Sequence, residues 1–592
     1  MLFPQTNRCR TIQDLNGFWQ FRTDADDTGR KNNWHKGFDN GIMVGVPASW
    51  NEQLAETGLM DYVGCVWYQR SFYIARHLRD RKIILRFGSA DFSAEVWLNG
   101  RRVGTHQGGF LPFEFDISSF VDFEQSNLLV VCVDNRLNHD TIPQGISEKD
   151  YDEFGRPRDL SYPSTIFDFM AYGGLNRPVR LVYLTNFYIK DITVETKING
   201  SSGVIHYKTI LSQKLAGREA VITLNDGKKC IASTSFKQDN EIIEGAFEID
   251  NCRFWSPDDP KLYSIEIELF DNEEAVDEYH LKVGVREISV TEEQLLLNGK
   301  PLFLKGFGKH EDFPVLGKGL SYPLIIKDFQ LMKWLGANSF RTSHYPYSEE
   351  LMQIADRLGF LVIDEVPAVS LNFRYVSSKT LENHKNSLKE MIARDRNHPS
   401  VIAWSIANEP GIWGEEEAVS EKAKQYWREI YQFTKKLDSS RPLTLPACAY
   451  LKENDISYQY SDFISINRYW GWYEIPGDIK KAGKKLKEEL QLLFRLNRKP
   501  ILISEFGADT VEGMHSTYPQ MFTEEYQSDL IEEYFKIIRS FPFTIGEHIW
   551  NFADFRTAQH HRRVVFNKKG VFTRQREPKS AAFMIKKFWT EN

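Results

Sequence analysis

The sequence predicts a multidomain protein: a jelly-roll β-sandwich, an immunoglobulin-like β-sandwich and a (β/α)8 barrel in series. Three observations lead there. The chain has 592 residues, more than one hydrophobic core usually serves, so several domains are expected. Up to about residue 287 it shows short alternating runs broken by turn residues, with hardly any helical period. After about residue 290, apolar strands alternate with amphipathic helices, the pattern of a parallel α/β fold.

Residues 1–185 read as the first sandwich. In SAEVWLNGRRVGTHQGG, Ala94, Val96 and Leu98 alternate ahead of Asn99-Gly100, a hairpin signal, and LLVVCVDN (128–135) continues the pattern. The aromatic content suggests sugar binding. Residues 186–287 carry VIHYKTIL and SIEIELF with the turn-rich WSPDDPKLY between them, and this length suits an immunoglobulin-like sandwich.

Residues 288–592 contain eight candidate strands: PLFLKGFG, NSFRTSHY, FLVIDEVP, VIAWSIANEP, PLTLPACAY, FISINRYW, PILISEFG and TIGEHIWNF. Between them lie segments such as SEELMQIADRLG. There Leu351, Ile354, Ala355 and Leu358 share a face, Ser348 is the expected N-cap and Gly359 the expected stop. Eight strand–helix units over about 300 residues indicate a closed barrel.

Composition excludes some partners. The 74 basic and 81 acidic side chains give a net charge of −7, so no global basic field is available for nucleic acid or an anionic membrane. Any anion site must be local. The six cysteines, Cys9, Cys65, Cys132, Cys230, Cys252 and Cys448, lack zinc or redox spacing and read as reduced core thiols. The opening MLFPQTNRCR has no apolar signal region, and no run is long enough to span a bilayer. A cytoplasmic location is the default expectation.

Barrel active sites form where strands end. Carboxylates stand at Asp364, Glu365, Glu409, Glu505, Glu547 and Asp554, and aromatics at Trp404, Tyr469, Trp470, Trp472 and Trp550. Any one of these carboxylates is commonly an ion-pair or cap residue. Together they predict an acidic, aromatic mouth suited to stacking on sugar rings while two carboxylates act on a glycosidic bond.

RTSHYP (341–346), RDRNHPSVIAWSIANEP (394–410), INRYWGWY (466–473), ISEFGAD (503–509), IWNFADF (549–555) and NKKGVFTRQREPKSAAF (567–583) resemble glycoside hydrolase family 2, and within it the β-glucuronidases. The resemblance covers nearly the whole chain and implies the same three-domain order. It implies Glu409 as general acid and base and Glu505 as nucleophile of a retaining exo-glycosidase, whose carboxyls must lie about 5 to 5.5 Å apart. It places Asn408 at the sugar 2-hydroxyl, Tyr469 at the nucleophile or ring, His344 and Trp550 along the sugar, and Asp168 reaching in from the first domain. Asn567 and Lys569 would read the C6 carboxylate that separates a glucuronide from a glucoside. Lys568 should then point to solvent. Arg563 best matches an arginine contact to that carboxylate, on an approach, Arg562 to Phe566, that departs from the glycine-rich one of many relatives.

The segment from Pro367 to His384 is short beside relatives with a long aglycone-side loop, so bulky or polymeric aglycones should be tolerated. Expected substrates are small glucuronides or glucuronic-acid-terminated oligosaccharides. The resemblance implies no required metal or cofactor, leaves accessory flavin nucleotide binding open, and implies a homo-oligomer, tetramer or dimer. The alternatives are another family 2 β-glycosidase, such as a galactosidase, mannosidase or galacturonidase, or a carbohydrate-binding protein without catalysis.

Overall fold

The computed structural model describes residues 2–146, 161–410, 417–447 and 455–591, with side chains 417–419 left aside. Cys448 and the end of the fifth candidate strand lie outside these residues.

In the first domain a six-stranded antiparallel sheet, in the order Ile42–Val46, Gly17–Asp24, Cys65–Phe72, Asn127–Asp134, Ser93–Leu98, Arg101–Gln107, faces a four-stranded one. The second sheet runs Thr11–Asp14, Val179–Leu184, Lys82–Phe87, Phe113–Asp116. The expected hairpin is present. Asn99 and Gly100 take φ of 53° and 74°, the left-handed pair that matches the twist of the flanking strands. Ala94, Val96 and Leu98 point into the core between the sheets.

The second domain packs three strands against four, again all antiparallel, as an immunoglobulin-like sandwich. Cys230 departs from expectation. It lies on the outer strand Lys229–Phe236 and is exposed, whereas Cys9, Cys65, Cys132 and Cys252 are buried thiols.

The barrel strands are β1 (Leu304–Gly308), β2 (Ser339–Arg341), β3 (Leu361–Glu365), β4 (Val401–Ser405), β5 (Leu443–Thr444 and Pro446–Ala447), β6 (Ile464–Asn467), β7 (Ile501–Glu505) and β8 (Thr544–Ile549). All pair in parallel. The two halves of β5 form the two ends of the sheet order, so the barrel closes at that interrupted strand. Its lower layer, including Leu304, Leu361, Ile402, Leu502 and Ile545, is plugged by Leu295 and Leu297 of a small meander and by Trp255. Trp255 comes from the WSPDDP turn of the second domain, which ties that domain to the closed end of the barrel.

Outside the strands lie α1 (Tyr322–Leu335), α2 (Glu349–Leu358), α3 (Ser378–Asp395), α4 (Glu417–Leu437), α5 (Ile479–Asn497), α6 (Glu524–Ile538) and α7 (Ser580–Glu591). Among the described residues, β5 is followed by a 3-10 turn, Ile456–Tyr460, in place of a full α-helix. α2 has the caps its sequence announced: Ser348 accepts a hydrogen bond from the Leu351 amide at 3.3 Å, and Gly359 takes φ 76°. Such an N-cap contributes about 1 kcal/mol. No helix among the described residues is long and apolar enough to cross a membrane.

The first domain docks beside the open end of the barrel through buried ion pairs. Glu52 receives Arg556 and Arg574, both at 2.7 Å, and Arg574 also pairs with Asp312. Next to this joint the strand-like segment after residue 161 is fixed by Tyr162, whose backbone exchanges hydrogen bonds with Gln559 at 2.9 and 2.8 Å. Phe167 and Phe169 are buried and stacked 4.3 Å apart. Asp168 between them is thereby turned outward, toward the barrel mouth.

Candidate active site

Glu409 lies just beyond β4 and Glu505 ends β7, three strands around the barrel. Glu505 is 4% exposed. Its carboxylate accepts from the Arg341 guanidinium at the end of β2 and from the Tyr469 hydroxyl at 2.7 Å. Arg341 in turn is held by both oxygens of Glu365, each at 2.9 Å, and its Nη1 donates to Asn408 Oδ1 at 3.3 Å. Burial alone would raise the Glu365 carboxyl, but Arg341, His344 and Ser405 outweigh it and hold it below its usual value. Glu365 is therefore a fixed anion that locks Arg341 in place.

Glu409 has a different environment. Its carboxylate accepts from a neutral amide, Asn467 Nδ2, at 2.8 Å, and Ser504 Oγ at 2.8 Å on Asn467 Oδ1 fixes that amide's orientation. The backbone at Glu409 has φ 44°, a region that a non-glycine residue occupies only under constraint. Its amide donates to Pro446 O at 2.9 Å.

Burial raises both carboxyls, Glu505 to about 8. At Glu505, Arg341 and Tyr469 oppose the rise while Glu409 adds to it. The two titrate as a pair that retains a proton at neutral pH. Each donor, Arg341 and Tyr469 at Glu505 and the Asn467 amide at Glu409, favours the charged form of the carboxyl it meets, against the burial that raises both.

His344 stacks on Trp550 with ring centroids 5.0 Å apart, its Nδ1 2.8 Å from Glu365 Oε1. Burial lowers its pKa despite Glu365, so the ring is neutral, donates from Nδ1 and turns Nε2 toward Glu505 at 3.9 Å.

The loop after β8 builds the other corner. Lys569, 1% exposed, donates to Tyr473 at 2.9 Å and pairs with Asp509. Asn567, also 1% exposed, donates to Asp168 at 2.9 Å. Arg563 bridges Asp168 and Asp509, the latter at 3.1 Å, and donates to Tyr473 at 2.8 Å. Burial would raise Asp509, but Lys569 and Arg563 hold it below the usual carboxylate value.

These residues surround one cleft of about 220 Å³. Asp168, His344, Asn408, Glu409, Tyr469, Glu505, Trp550, Arg563 and Asn567 all line it. Lys569 sits just behind, against Tyr473. Val369, Ser370, Trp470, Tyr473, Glu474 and Arg562 complete the wall. Val369 and Ser370 belong to the short segment after β3, which lies down on Asn408 through a 2.9 Å backbone hydrogen bond.

Several expectations need correction. Asp364 takes Thr342 at 3.0 Å and lies apart from the cleft. Glu547 pairs with Arg539 at 2.6 Å and Trp589 at 2.7 Å, in the helix layer. Asp554 pairs with Lys579 at 2.8 Å. Strand alternation turned Asp364 and Glu547 out of the mouth, and Asp554 lies in the loop beyond β8, where Lys579 holds it. Trp404 also faces outward, donating to Asp438 at 3.0 Å. Lys568 does face away from Lys569, but it is covered and paired with Glu512 at 2.7 Å, not free in solvent. Conversely, Arg341, Asn467, Asp509 and Tyr473 are in the site without having been assigned roles. All four fall within the quoted motifs, so their place was detectable and their partners were not. Among the described residues no group of three His, Cys, Asp or Glu side chains could hold a metal ion.

Known proteins resemble this chain in sequence and fold. The chain matches the family descriptions "Glycosyl hydrolases family 2, sugar binding domain" over 12–185, "Glycosyl hydrolases family 2" over 187–286 and "Glycosyl hydrolases family 2, TIM barrel domain" over 288–592. It is 40% identical to a beta-glucuronidase of Paenibacillus borealis, covering 100% of this chain and 99% of that one. It is 38% identical to that of Homo sapiens, covering 100% and 92%. The crystal structure of Ruminococcus gnavus beta-glucuronidase superposes with a TM-score of 0.92 at 37% identity, covering 100% and 99%. A beta-glucuronidase from an uncultured Clostridium sp. gives 0.91 at 40% identity over 100% of both chains. Fold and site thus define a glycoside hydrolase. The chain belongs to glycosyl hydrolases family 2.

Proposed function

We propose that the chain is a retaining exo-β-glucuronidase. The observation that carries this reading is the cationic and amide corner of Asn567 and Lys569 beside the Glu409–Glu505 pair. A lysine ammonium has three donors. Asp509 and Tyr473 use two, and the third is available to a sugar carboxylate. Asn567 has one amide hydrogen beyond that given to Asp168. A neutral sugar would leave these buried donors unpaired, which is how such a site rejects it. Relatives solved with D-glucuronic acid and with D-glucaro 1,5-lactone, both from Ruminococcus gnavus, support the reading.

In the first step Glu505 attacks the anomeric carbon, its charge focused by Arg341 and Tyr469, as Glu409 gives its proton to the leaving oxygen. As the glycosyl ester forms, Glu505 loses its charge and Glu409 becomes the anion. Glu409 then takes a proton from water, which attacks the anomeric carbon and releases glucuronic acid. Asn408, held by Arg341, would meet the 2-hydroxyl, and Trp550 with His344 would pack along the ring. The chemistry uses these side chains alone.

The test is a panel of aryl β-glycosides with glucuronic acid, galacturonic acid, glucose, galactose or mannose. Turnover confined largely to the glucuronide supports the reading, and better turnover of a neutral glycoside sinks it.

A further inference from the structure

Arg562 stands out among the basic residues of the cleft. Arg563 is held by Asp168, Asp509 and Tyr473, and Lys569 by Asp509 and Tyr473. Arg562 also lines the cleft, is exposed, and its guanidinium has no hydrogen-bond or ion-pair partner among the described residues. Its backbone amide is fixed, donating to His560 Nδ1 at 2.9 Å. The side chain therefore stands on a defined turn with its donors uncommitted among the described residues.

Its position relative to the reaction follows from the exposure of the cleft wall. Glu505, Asn408, His344 and Trp550 form the buried end, each at most 6% exposed. Asn567 and Lys569 form the equally buried C6 corner. The acid must stand beside the leaving oxygen, and Glu409 is the less buried member of the pair. The leaving group therefore runs from Glu409 toward the open side of the cleft, and Arg562 is an exposed residue of the cleft wall. Asp168 does not neutralise it, being committed to Arg563 and Asn567.

We infer that Arg562 is a specificity-determining residue that binds an anionic group, a carboxylate or sulfate, on the aglycone. The preferred substrates would be glucuronides whose leaving part is itself acidic, as in an acidic oligosaccharide. This rests on the glucuronidase reading and adds the class of leaving group to it.

The probes are 4-carboxyphenyl and 4-carbamoylphenyl β-D-glucuronide, nearly equal in shape and different in charge. The quantity to measure is the kcat/KM ratio of the charged to the neutral probe, in the wild-type protein, Arg562→Leu and Arg562→Lys. Leaving-group reactivity is common to all three proteins and cancels when the ratios are compared. The wild-type ratio should exceed that of Arg562→Leu about two- to five-fold at low salt, the range of a solvent-accessible charge pair. Arg562→Lys should keep most of the difference, and added salt should shrink it. Equal ratios in wild type and Arg562→Leu would overturn the inference while leaving the glucuronidase reading intact. Turnover of neither probe, with an aryl galactoside cleaved, would overturn that reading and the Arg562 subsite with it.

Discussion

The reacting corner and the recognition corner of the cleft are built differently. Glu505, Arg341 and Glu365 end barrel strands, and Glu409 and Asn467 sit at or just beyond strand ends, so closed-sheet hydrogen bonding fixes them. The Asn567 and Lys569 corner draws on the loop after β8, on Asp509 after β7, on Tyr473 after β6 and on Asp168 from another domain. Strand ends place a reacting atom with little freedom. The loops, joined by ion pairs, define which charge pattern is admitted. Chemistry thus resides on the frame common to the barrel, and sugar identity resides on what surrounds it.

Substitutions should separate the two corners. The largest effect is expected from Glu505→Gln, which removes the attacking carboxylate and should lower kcat by at least about 10⁴-fold on any aryl glycoside. Glu409→Gln should cost about 10²- to 10⁴-fold, more for a poor leaving group than for nitrophenol, because only the former needs its proton. If the two variants showed the same leaving-group dependence, the assigned roles would be wrong.

Lys569→Ala should lower kcat/KM for an aryl glucuronide by about 10²-fold or more, the scale of losing one partner of a buried charge pair. It should leave weak activity on the corresponding glucoside unchanged or raised. A parallel loss on both sugars would place Lys569 in the frame and dissolve the division drawn above. Asp168→Ala should cost roughly tenfold, through the freed Arg563 and Asn567, with KM carrying most of the change. That experiment asks whether the first domain takes part in recognition, and steady-state kinetics answers it.

The smallest effect is on stability. Burial raises Glu505 from its ordinary 4.5 to about 8, so the folded protein binds this proton more tightly than the unfolded chain. The associated stability is fully present below pH 4.5 and is lost as pH rises toward about 8. Glu505→Gln has no such proton to lose. Its Tm should fall less across that window, by roughly 2 °C relative to wild type, and identical Tm profiles would contradict the raised value.

Local patterning made most of the fold legible in the sequence. The Asn99-Gly100 hairpin, the capped helix at Ser348 and Gly359, and the eight apolar runs of the barrel each depend on residues close together in the chain. At the site, residue identities were legible because they end strands or fall in motifs. Partners were not. Asp364, Glu547 and Asp554 looked equivalent to Glu409 and Glu505, and only strand alternation and the helix layer show that they pair elsewhere. Glu365 locking Arg341, Ser504 orienting the Asn467 amide, and Asp509 joining Lys569 to Arg563 each connect separate strands or loops, which no spacing rule reports. Alternation along the loop turns Lys568 away from Lys569. Its cover by Glu512 comes from a neighbouring loop.

The central claim is that Glu505 forms a covalent bond to a sugar chosen by its carboxylate. Incubation with an activated 2-fluoro glucuronide, followed by peptide mass spectrometry, measures both parts at once. The account predicts one added 2-fluoroglucuronyl group per chain, on the peptide carrying Glu505, and much slower labelling by the matching 2-fluoro glucoside. A label on another residue, no label in an active preparation, or equal labelling by both sugars would contradict it.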